Sequence, residues 1–398
     1  PMHPAVTMMP GMDTISPTVD PWTVSGTLED GSATRWNEAI ESKHVYLADG
    51  DTLVMRAGIA KKKLGERWHL MYAYNDQIPG PILHVQRSTT VTVIFQNETA
   101  FPSSIHWHGL RQDNKDDGVP GLTQEAVRPG SSFTYSVRFP DAGLYWYHPH
   151  HREDIQQELG LAGNMLVGEI GEEPDRVTDH AEILMLDDIL IDTDDIVPFG
   201  KQETNYASMG RFGNILLVNG DTHYDKTVSV GESVRFFVTN VSNTRTFNLS
   251  LDGHALKMVA TDVSVFERQV WEDALAIAPA ERYIADVLFT APGRYALVNY
   301  VQGIDHQLGR FFPERDTLGY ITVTESWSED RSAKESFTRL SENADVIQEI
   351  ESYRNQFDRP VDRDIDLVLE TDQLPPLIEQ VMRLDRLYFN PVEWTGTM

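Results

Sequence analysis

Apolar and polar residues alternate in short runs along the chain from about residue 42 to residue 325. Runs such as Thr90–Phe95 and Val234–Val238 are rich in β-branched and aromatic residues, and Gly, Pro and Asn separate them. Successive side chains of a strand point to opposite faces, so this alternation predicts strands with one buried face. Many short strands with regular turns are typical of antiparallel sandwiches, and we predict an all-β fold. Further strands are predicted at Val45–Leu47, Phe133–Val137 and Tyr283–Phe289.

The strand pattern occurs twice. Val91–Asn97 aligns with Val234–Asn240, and Gly109 then falls opposite Gly253. The offset of about 145 residues is the length of one sandwich domain, so we predict two copies of a single fold. The predicted segments are an N-terminal extension at 1–41, a first sandwich at 42–171 and a second at 172–328.

The pattern changes to a helical period near the C-terminus. Residues 332–357 place apolar side chains on one face of a helix, and Pro360 follows as a stop signal. We predict a helical linker at 329–362 and, from the strand-like run Asp364–Glu370, the opening strands of a third, incomplete sandwich at 363–398. The apolar face would consist of Phe337, Leu340, Ala344, Ile347 and Ile350.

Composition excludes several classes of partner. The formal net charge of −28 argues against nucleic acid or an anionic membrane surface as a partner. No segment approaches the roughly 18 apolar residues needed to cross a bilayer, so no membrane partner is expected. The chain of 398 residues contains no cysteine, which excludes disulfides and thiolate ligands within it.

Two His-X-His pairs stand out as candidate chemistry. His106 and His108 end one strand-like segment, and His148 and His150 end another about 40 residues later. Residues i and i+2 of a strand point to the same side, so each pair offers two imidazoles from one face. Antiparallel strands can bring both pairs together, and an all-imidazole cluster favours copper or zinc.

The second copy of the repeat lacks these ligands. This comparison indicates that the chemistry resides in the first sandwich, with the second acting as a spacer or a wall. The residues opposite the four histidines are Ser250, Asp252, Val298 and Tyr300.

The order and spacing of several motifs resemble the multicopper oxidases of the laccase type. The resemblance covers about residues 42–325 and implies tandem cupredoxin-like Greek-key sandwiches. The motifs are Gln77–Pro81, Ile105–Gly109, Asp117–Gly121, Gly143–His150 and Gly160–Gly163.

The resemblance implies a role for each candidate residue. His106 would be a ligand of the type 2 copper, and His108, His148 and His150 would be ligands of the type 3 copper pair. Together they would form half of the trinuclear cluster that reduces dioxygen to water. Asp117 would assist proton delivery to that cluster. A turn aspartate in an Asp-Asp-Gly sequence is the alternative interpretation of this residue.

The chain departs from the family after the second sandwich. It contains neither the His-Pro-X-His-X-His nor the His-Cys-His segment that builds the type 1 copper site, and no histidine follows His306. We therefore expect the N-terminal piece of a three-domain oxidase. The remainder would lie on a second polypeptide, have been cleaved off, or not be included. Family resemblance also suggests a periplasmic or extracellular location.

Two functional hypotheses follow. In the first, the complete protein oxidises phenolic, aromatic-amine or metal-ion reductants one electron at a time and reduces dioxygen. In the second, this chain alone is a copper-handling protein with an open histidine site and no oxidase activity. A two-domain copper nitrite reductase is a weaker alternative, because that family also needs a cysteine-ligated copper.

Overall fold

The structure is a computed structural model, and it describes residues 36–168, 178, 180–192, 195–199, 206, 210–305, 310–327, 337–361 and 363. Most of these residues lie in strands, which confirms the all-β prediction. Both sandwiches fall within one compact unit that ends at Asn343, and a second unit begins at Ala344.

The first sandwich consists of two sheets with the strand orders β3-β2-β5-β7 and β1-β4-β9-β8-β6. Along β5, buried residues alternate strictly with half-buried ones, as the sequence pattern predicts. The strands are β1 (His44–Leu47), β2 (Thr52–Leu64), β3 (Arg67–Tyr74), β4 (Ile82–Gln86), β5 (Thr89–Asn97), β6 (His106–His108), β7 (Ser132–Phe139), β8 (Gly143–His148) and β9 (Gly163–Gly168).

The second sandwich has sheets of six and five strands, with the orders β13-β10-β15-β20-β17-β18 and β14-β22-β21-β16-β19. Strands β11 and β12 form a separate two-stranded ribbon. The strands are β10 (His180–Ile189), β11 (Ile191–Asp192), β12 (Asp195–Ile196), β13 (Ile215–Val218), β14 (Tyr224–Val230), β15 (Ser233–Asn240), β16 (Phe247–Leu251), β17 (Leu256–Thr261), β18 (Ser264–Glu272), β19 (Leu275–Ile277), β20 (Arg282–Leu288), β21 (Gly293–Asp305) and β22 (Arg310–Trp327).

The sheets are mixed rather than purely antiparallel. Strand β4 pairs in parallel with both β1 and β9, and β2 pairs in parallel with β5. The second copy has parallel pairs at equivalent places, between β10 and β15 and between β14 and β22. The chain crosses from one sheet to the other between these strands, and such crossovers permit parallel neighbours without a helix between them.

A buried asparagine repeats in the two copies and confirms the internal duplication. The amide of Asn97 donates to two backbone carbonyls, and its oxygen accepts from the backbone and the hydroxyl of Thr99. Asn240 makes the same set of four hydrogen bonds, with Ser242 in place of Thr99. Both amides are fully buried, so each satisfies carbonyls that water cannot reach.

The C-terminal helix is confirmed, but it begins later than predicted. Helix α2 spans Ala344–Phe357. Ahead of it, Glu342 forms a β-bridge with Arg268, and the Asn343 backbone N–H donates to the Glu267 carbonyl oxygen. This pairing with β18 keeps Glu342 and Asn343 out of the helix. A helix running continuously from residue 332 is therefore wrong for the residues just before Ala344.

The apolar residue Phe337 also departs from the predicted helix face. It is buried against Trp271 of the second sandwich, and its carbonyl oxygen accepts from the Lys257 ammonium. Residues 328–336 lie outside the described part of the chain, as do the predicted strand at 364–370 and nearly all of the predicted third sandwich.

Part of the predicted N-terminal extension pairs with the first sandwich. Glu38 forms a parallel bridge with Lys61, and Ile40 forms one with Gln77. None of the helices in the described residues is long and apolar enough to cross a bilayer.

We expect Asn97→Ala to lower the free energy of unfolding by about 3 kcal/mol, because two buried carbonyls each lose the hydrogen bond that the Asn97 amide donates. Asn240→Ala should have an effect of similar size. Denaturant unfolding followed by tryptophan fluorescence measures both. Thr134→Ala, at an exposed position of β7, is the control and should change stability by less than about 0.5 kcal/mol. Equal stability of all three variants would contradict a stabilising role for the buried hydrogen bonds of Asn97 and Asn240, which we call the asparagine brace.

Candidate metal centre

The register between β6 and β8 brings the two histidine pairs together. His106 lies directly opposite His148, and His108 lies opposite Trp146. Directly opposed residues of an antiparallel pair share one face of the sheet. The side chains of His106, His108, Trp146 and His148 therefore project to the same side. Trp107 lies on the other side, in the core of the first sandwich.

The four predicted histidines form one cluster. The Nδ1 atom of His108 lies 3.4 Å from Nε2 of His148. One ligand atom from each of His106, His108 and His148 lies within 4.8 Å of the others. The ring centre of His150 lies 4.5 Å from that of His106 and 5.1 Å from that of His148.

Three of the rings have an oxygen acceptor beside Nδ1. An Nδ1–H that donates to such an oxygen leaves Nε2 with a free lone pair and fixes the orientation of the ring. His108 differs, because its Nδ1 faces the ring of His148. The three pairs are His106 with the Asp117 carbonyl oxygen at 2.8 Å, His148 with the Pro149 carbonyl oxygen at 3.0 Å, and His150 with Oε2 of Glu153 at 3.3 Å.

Burial keeps these imidazoles in the neutral form. It lowers the pKa of His106, His148 and His150, and the pKa of His108 falls to about 3 through burial and then the nearby Arg282 charge. Neutral imidazoles present lone pairs at pH 7, which a transition metal requires. Converging, uncharged nitrogen donors without a competing proton therefore fit copper, which binds well to imidazole.

Asp117 lies beside the cluster and is also part of a turn. Its backbone carbonyl accepts from His106, and its carboxylate oxygen lies 3.4 Å from the same Nδ1 atom. Gly118 follows with a φ of +74°, and a Cβ at this position would lie 1.8 Å from the Ile105 carbonyl oxygen. The turn thus packs against the start of β6 and presses the Asp117 carbonyl towards the ring. This geometry is compatible both with proton delivery by the Asp117 carboxylate and with a role of Asp117 in the turn alone.

The two tryptophans of the histidine strands pack in different places. Trp146 stacks on the ring of His148 at 4.1 Å and lies 4.9 Å from the ring of His108. Trp107 packs edge to face against Tyr135 in the core. Trp107 thus packs into the core, whereas Trp146 restricts the rotation of two candidate ligands.

Two further residues follow the second histidine pair. His151 comes directly after it and is only 4% exposed. Glu153 was not identified. It begins the short helix α1 (Glu153–Gln156), and Arg152 before it has a positive φ that turns the chain back towards His150. A glutamate three residues after the pair was the available signal.

The second sandwich braces the strand that carries Trp146 and His148. The Leu144 backbone N–H donates to the Asp262 carbonyl, and the Arg282 guanidinium donates to the Leu144 carbonyl at 3.0 Å. Arg282 is itself held by an ion pair of 2.7 Å with the Asp262 carboxylate. These contacts support the prediction that the second copy acts as a wall.

The histidine cluster lines a cavity of about 710 Å³ between the two sandwiches. The first sandwich contributes the four imidazoles, Trp146 and Glu153, while the second contributes Asn243 and Ala280. Arg211 also lines the cavity, with its guanidinium ion-paired to Glu158.

Comparisons with known proteins agree on one family. Two family profiles, both described as Multicopper oxidase, match residues 59–170 and 183–321, which together are more than half of the chain. Laccase-1 of Cryptococcus neoformans var. grubii is 29% identical over 281 residues, covering 64% of this chain and 44% of that protein. Across three Cryptococcus neoformans laccases, the matched region spans between 38% and 49% of their length.

Solved structures show the same fold. Lac15 from a marine microbial metagenome is 31% identical with a TM-score of 0.57, and the match covers 70% of this chain and 68% of that one. A multi-copper oxidase from Pseudomonas thermotolerans is 25% identical with a TM-score of 0.61, covering 72% of this chain and 65% of that one.

We expect Glu153→Ala to weaken Cu²⁺ binding by about tenfold, because the acceptor that orients His150 is lost. Glu153→Gln retains an acceptor oxygen, so its Cu²⁺ affinity should lie between that of Glu153→Ala and that of the original chain. Competition with a chelator of known affinity measures the effect. Glu125→Ala, at an exposed position, is the matched control. A Glu153→Ala chain that binds copper as tightly as the control would exclude this orienting role.

Proposed function

The chain belongs to the multicopper oxidase family, and from that membership and its imidazole cluster we propose that it supplies one side of a copper cluster that reduces dioxygen to water. The observation that supports the proposal is the β6–β8 register, which aligns His106 with His148 and His108 with Trp146, while the ring centre of His150 lies 4.5 Å from that of His106. The family identifies the chain as a copper-dependent oxidoreductase. The nature of the cluster and the division of its ligands are the proposed part.

We assign His106 to the type 2 copper and His108, His148 and His150 to the type 3 pair. Bound copper would supply the one-electron chemistry that passes electrons to dioxygen. The chain itself keeps the rings neutral by burial and orients them through the oxygen acceptors beside Nδ1. Stacking of Trp146 on His148 limits ring rotation, so the ligand nitrogens are held in place before an ion arrives.

Asp117 is the proposed proton carrier. Its carboxylate lies 3.4 Å from the His106 ring, and about a third of its side chain is exposed to solvent. A carboxylate at the edge of the cluster can take a proton from water and hold it where reduced oxygen requires one. Its backbone contact with His106 keeps the side chain near the cluster.

The complete oxidase needs more than this chain contributes. The matched region is less than half the length of the laccase relatives, and the chain has no cysteine for a type 1 copper. We propose that a third-domain segment, on a longer form of this protein or on a second chain, supplies the remaining ligands. Small aromatic compounds or reduced metal ions would be the reductants, and the periplasm or the cell exterior would be the location.

Complementation with a cysteine-bearing third-domain segment tests the proposal. The chain alone, loaded with copper, should show no intense visible band of a Cu–thiolate bond. Oxygen uptake with a phenolic reductant should appear only with the added segment, and His148→Asn should abolish it. His223→Asn, at a half-exposed position of the second sandwich, is the matched control. Oxygen uptake that survives His148→Asn would exclude this cluster. Copper binding without uptake in the complemented protein would favour the copper-handling alternative.

We expect Asp117→Asn to lower kcat of the complemented oxidase by about a hundredfold while copper content stays unchanged, because the amide cannot carry the proton. Asp117→Glu should restore part of the rate. Oxygen-electrode kinetics and metal analysis measure both quantities. Asp113→Asn, an exposed residue of the same loop, is the control. An unchanged kcat would leave Asp117 with its turn role alone.

A further inference from the structure

A further pair of histidines, His44 and His84, lies at the opposite edge of the five-stranded sheet of the first sandwich. Strands β1 and β4 run in parallel, with Tyr46 opposite His84. His44 precedes Tyr46 by two residues, so all three side chains share one face of the sheet. The Nδ1 atom of His44 lies 2.7 Å from the Nε2 atom of His84.

Stacking holds these rings in an ordered group. The ring of Tyr46 stacks on that of His84 with centres 4.5 Å apart, and the His44 and His84 rings lie 4.9 Å apart at 20°. His84 is half-buried, whereas His44 is exposed, so an ion can approach from solvent. Burial, and then the neighbouring His44, lowers the pKa of His84 to about 4, which keeps its ring neutral at pH 7.

We propose that His44 and His84 chelate one divalent transition-metal ion of the Cu²⁺ type, at a site separate from the main cluster. His44 would bind through Nδ1 and His84 through Nε2, while the other nitrogen of each ring keeps its proton. Water would complete the coordination. The site needs no part of a third domain and does not depend on the proposed oxidase function.

The distance between the two nitrogens is compatible with right-angle coordination of one ion. With metal–nitrogen bonds of about 2.0 Å, two ligands at a right angle lie about 2.8 Å apart, and two tetrahedral ligands lie about 3.3 Å apart. The observed 2.7 Å is close to the right-angle value. Square-planar coordination is typical of Cu²⁺ and Ni²⁺, so the pair favours these ions over Zn²⁺.

The two metal sites cannot share ligands. The strand order β1-β4-β9-β8-β6 places two strands between His84 on β4 and His106 on β6. At the usual spacing of neighbouring strands, this separates the two strands by about 14 Å.

A simple N–H···N hydrogen bond between the neutral rings of His44 and His84 is the competing explanation of their short contact.

Copper titration of the full chain, followed by electron paramagnetic resonance, tests the site. The original chain should bind one more Cu²⁺ equivalent than either His44→Gln or His84→Asn, with hyperfine splitting from two nitrogens. His180→Asn, another exposed strand histidine, should bind as many equivalents as the original chain. His148→Asn should keep the Cu²⁺ signal of the His44–His84 site, called the outer site below. That result would show that the outer site is separate from the main cluster. Zn²⁺ should bind the outer site at least about tenfold more weakly than Cu²⁺.

Two outcomes would overturn the proposal. The first is an equal number of Cu²⁺ equivalents in the original chain and in both variants, which would leave only a hydrogen bond. The second is the loss of one Cu²⁺ equivalent in His84→Asn without such a loss in His44→Gln, because a chelate needs both rings. His44 is exposed, so its replacement leaves the core intact, and thermal unfolding of both variants checks that the fold is retained.

Discussion

The register between β6 and β8 is the constraint on which the candidate metal centre depends. A slip of one residue would turn the imidazoles into the core and expose the residues between them. Those intervening residues prevent the slip, because Trp107 and Tyr147 are fully buried and the Tyr147 hydroxyl donates to the Pro81 carbonyl. The apolar inner face of the strand pair therefore determines where the histidines on the outer face point.

Duplication of the sandwich separated two tasks. Both copies keep the asparagine brace at Asn97 and Asn240, so the second remains a complete fold without the histidines. The second sandwich, which lacks the four histidines, contributes Arg282 and Asp262. These two residues hold the backbone of β8 at Leu144. The histidine cluster thus lies on one sandwich, and contacts from the other hold the strand that carries His148. Any change at this interface acts on the ligands through β8.

The sequence carried enough information for the fold class, the duplication and the convergence of the four histidines, because each depends on a short-range period or a repeated motif. Features that depend on long-range pairing could not be predicted from it. The contact of His44 with His84 requires parallel pairing of β1 and β4, which leaves no local trace. The late start of helix α2 has the same origin, since Asn343 pairs with β18 although its neighbours favour a helix.

Gly118 shows how little of a metal centre resides in its ligands. Its backbone fits against Ile105 only without a side chain, and that fit sets the carbonyl that orients His106. A designer who transplants the two histidine pairs onto another sandwich would move four rings and leave this orienting turn behind. The transferable unit is instead the second histidine pair on β8 together with the continuous loop from Ile105 to Gly118, whose glycine is as necessary to the graft as any imidazole.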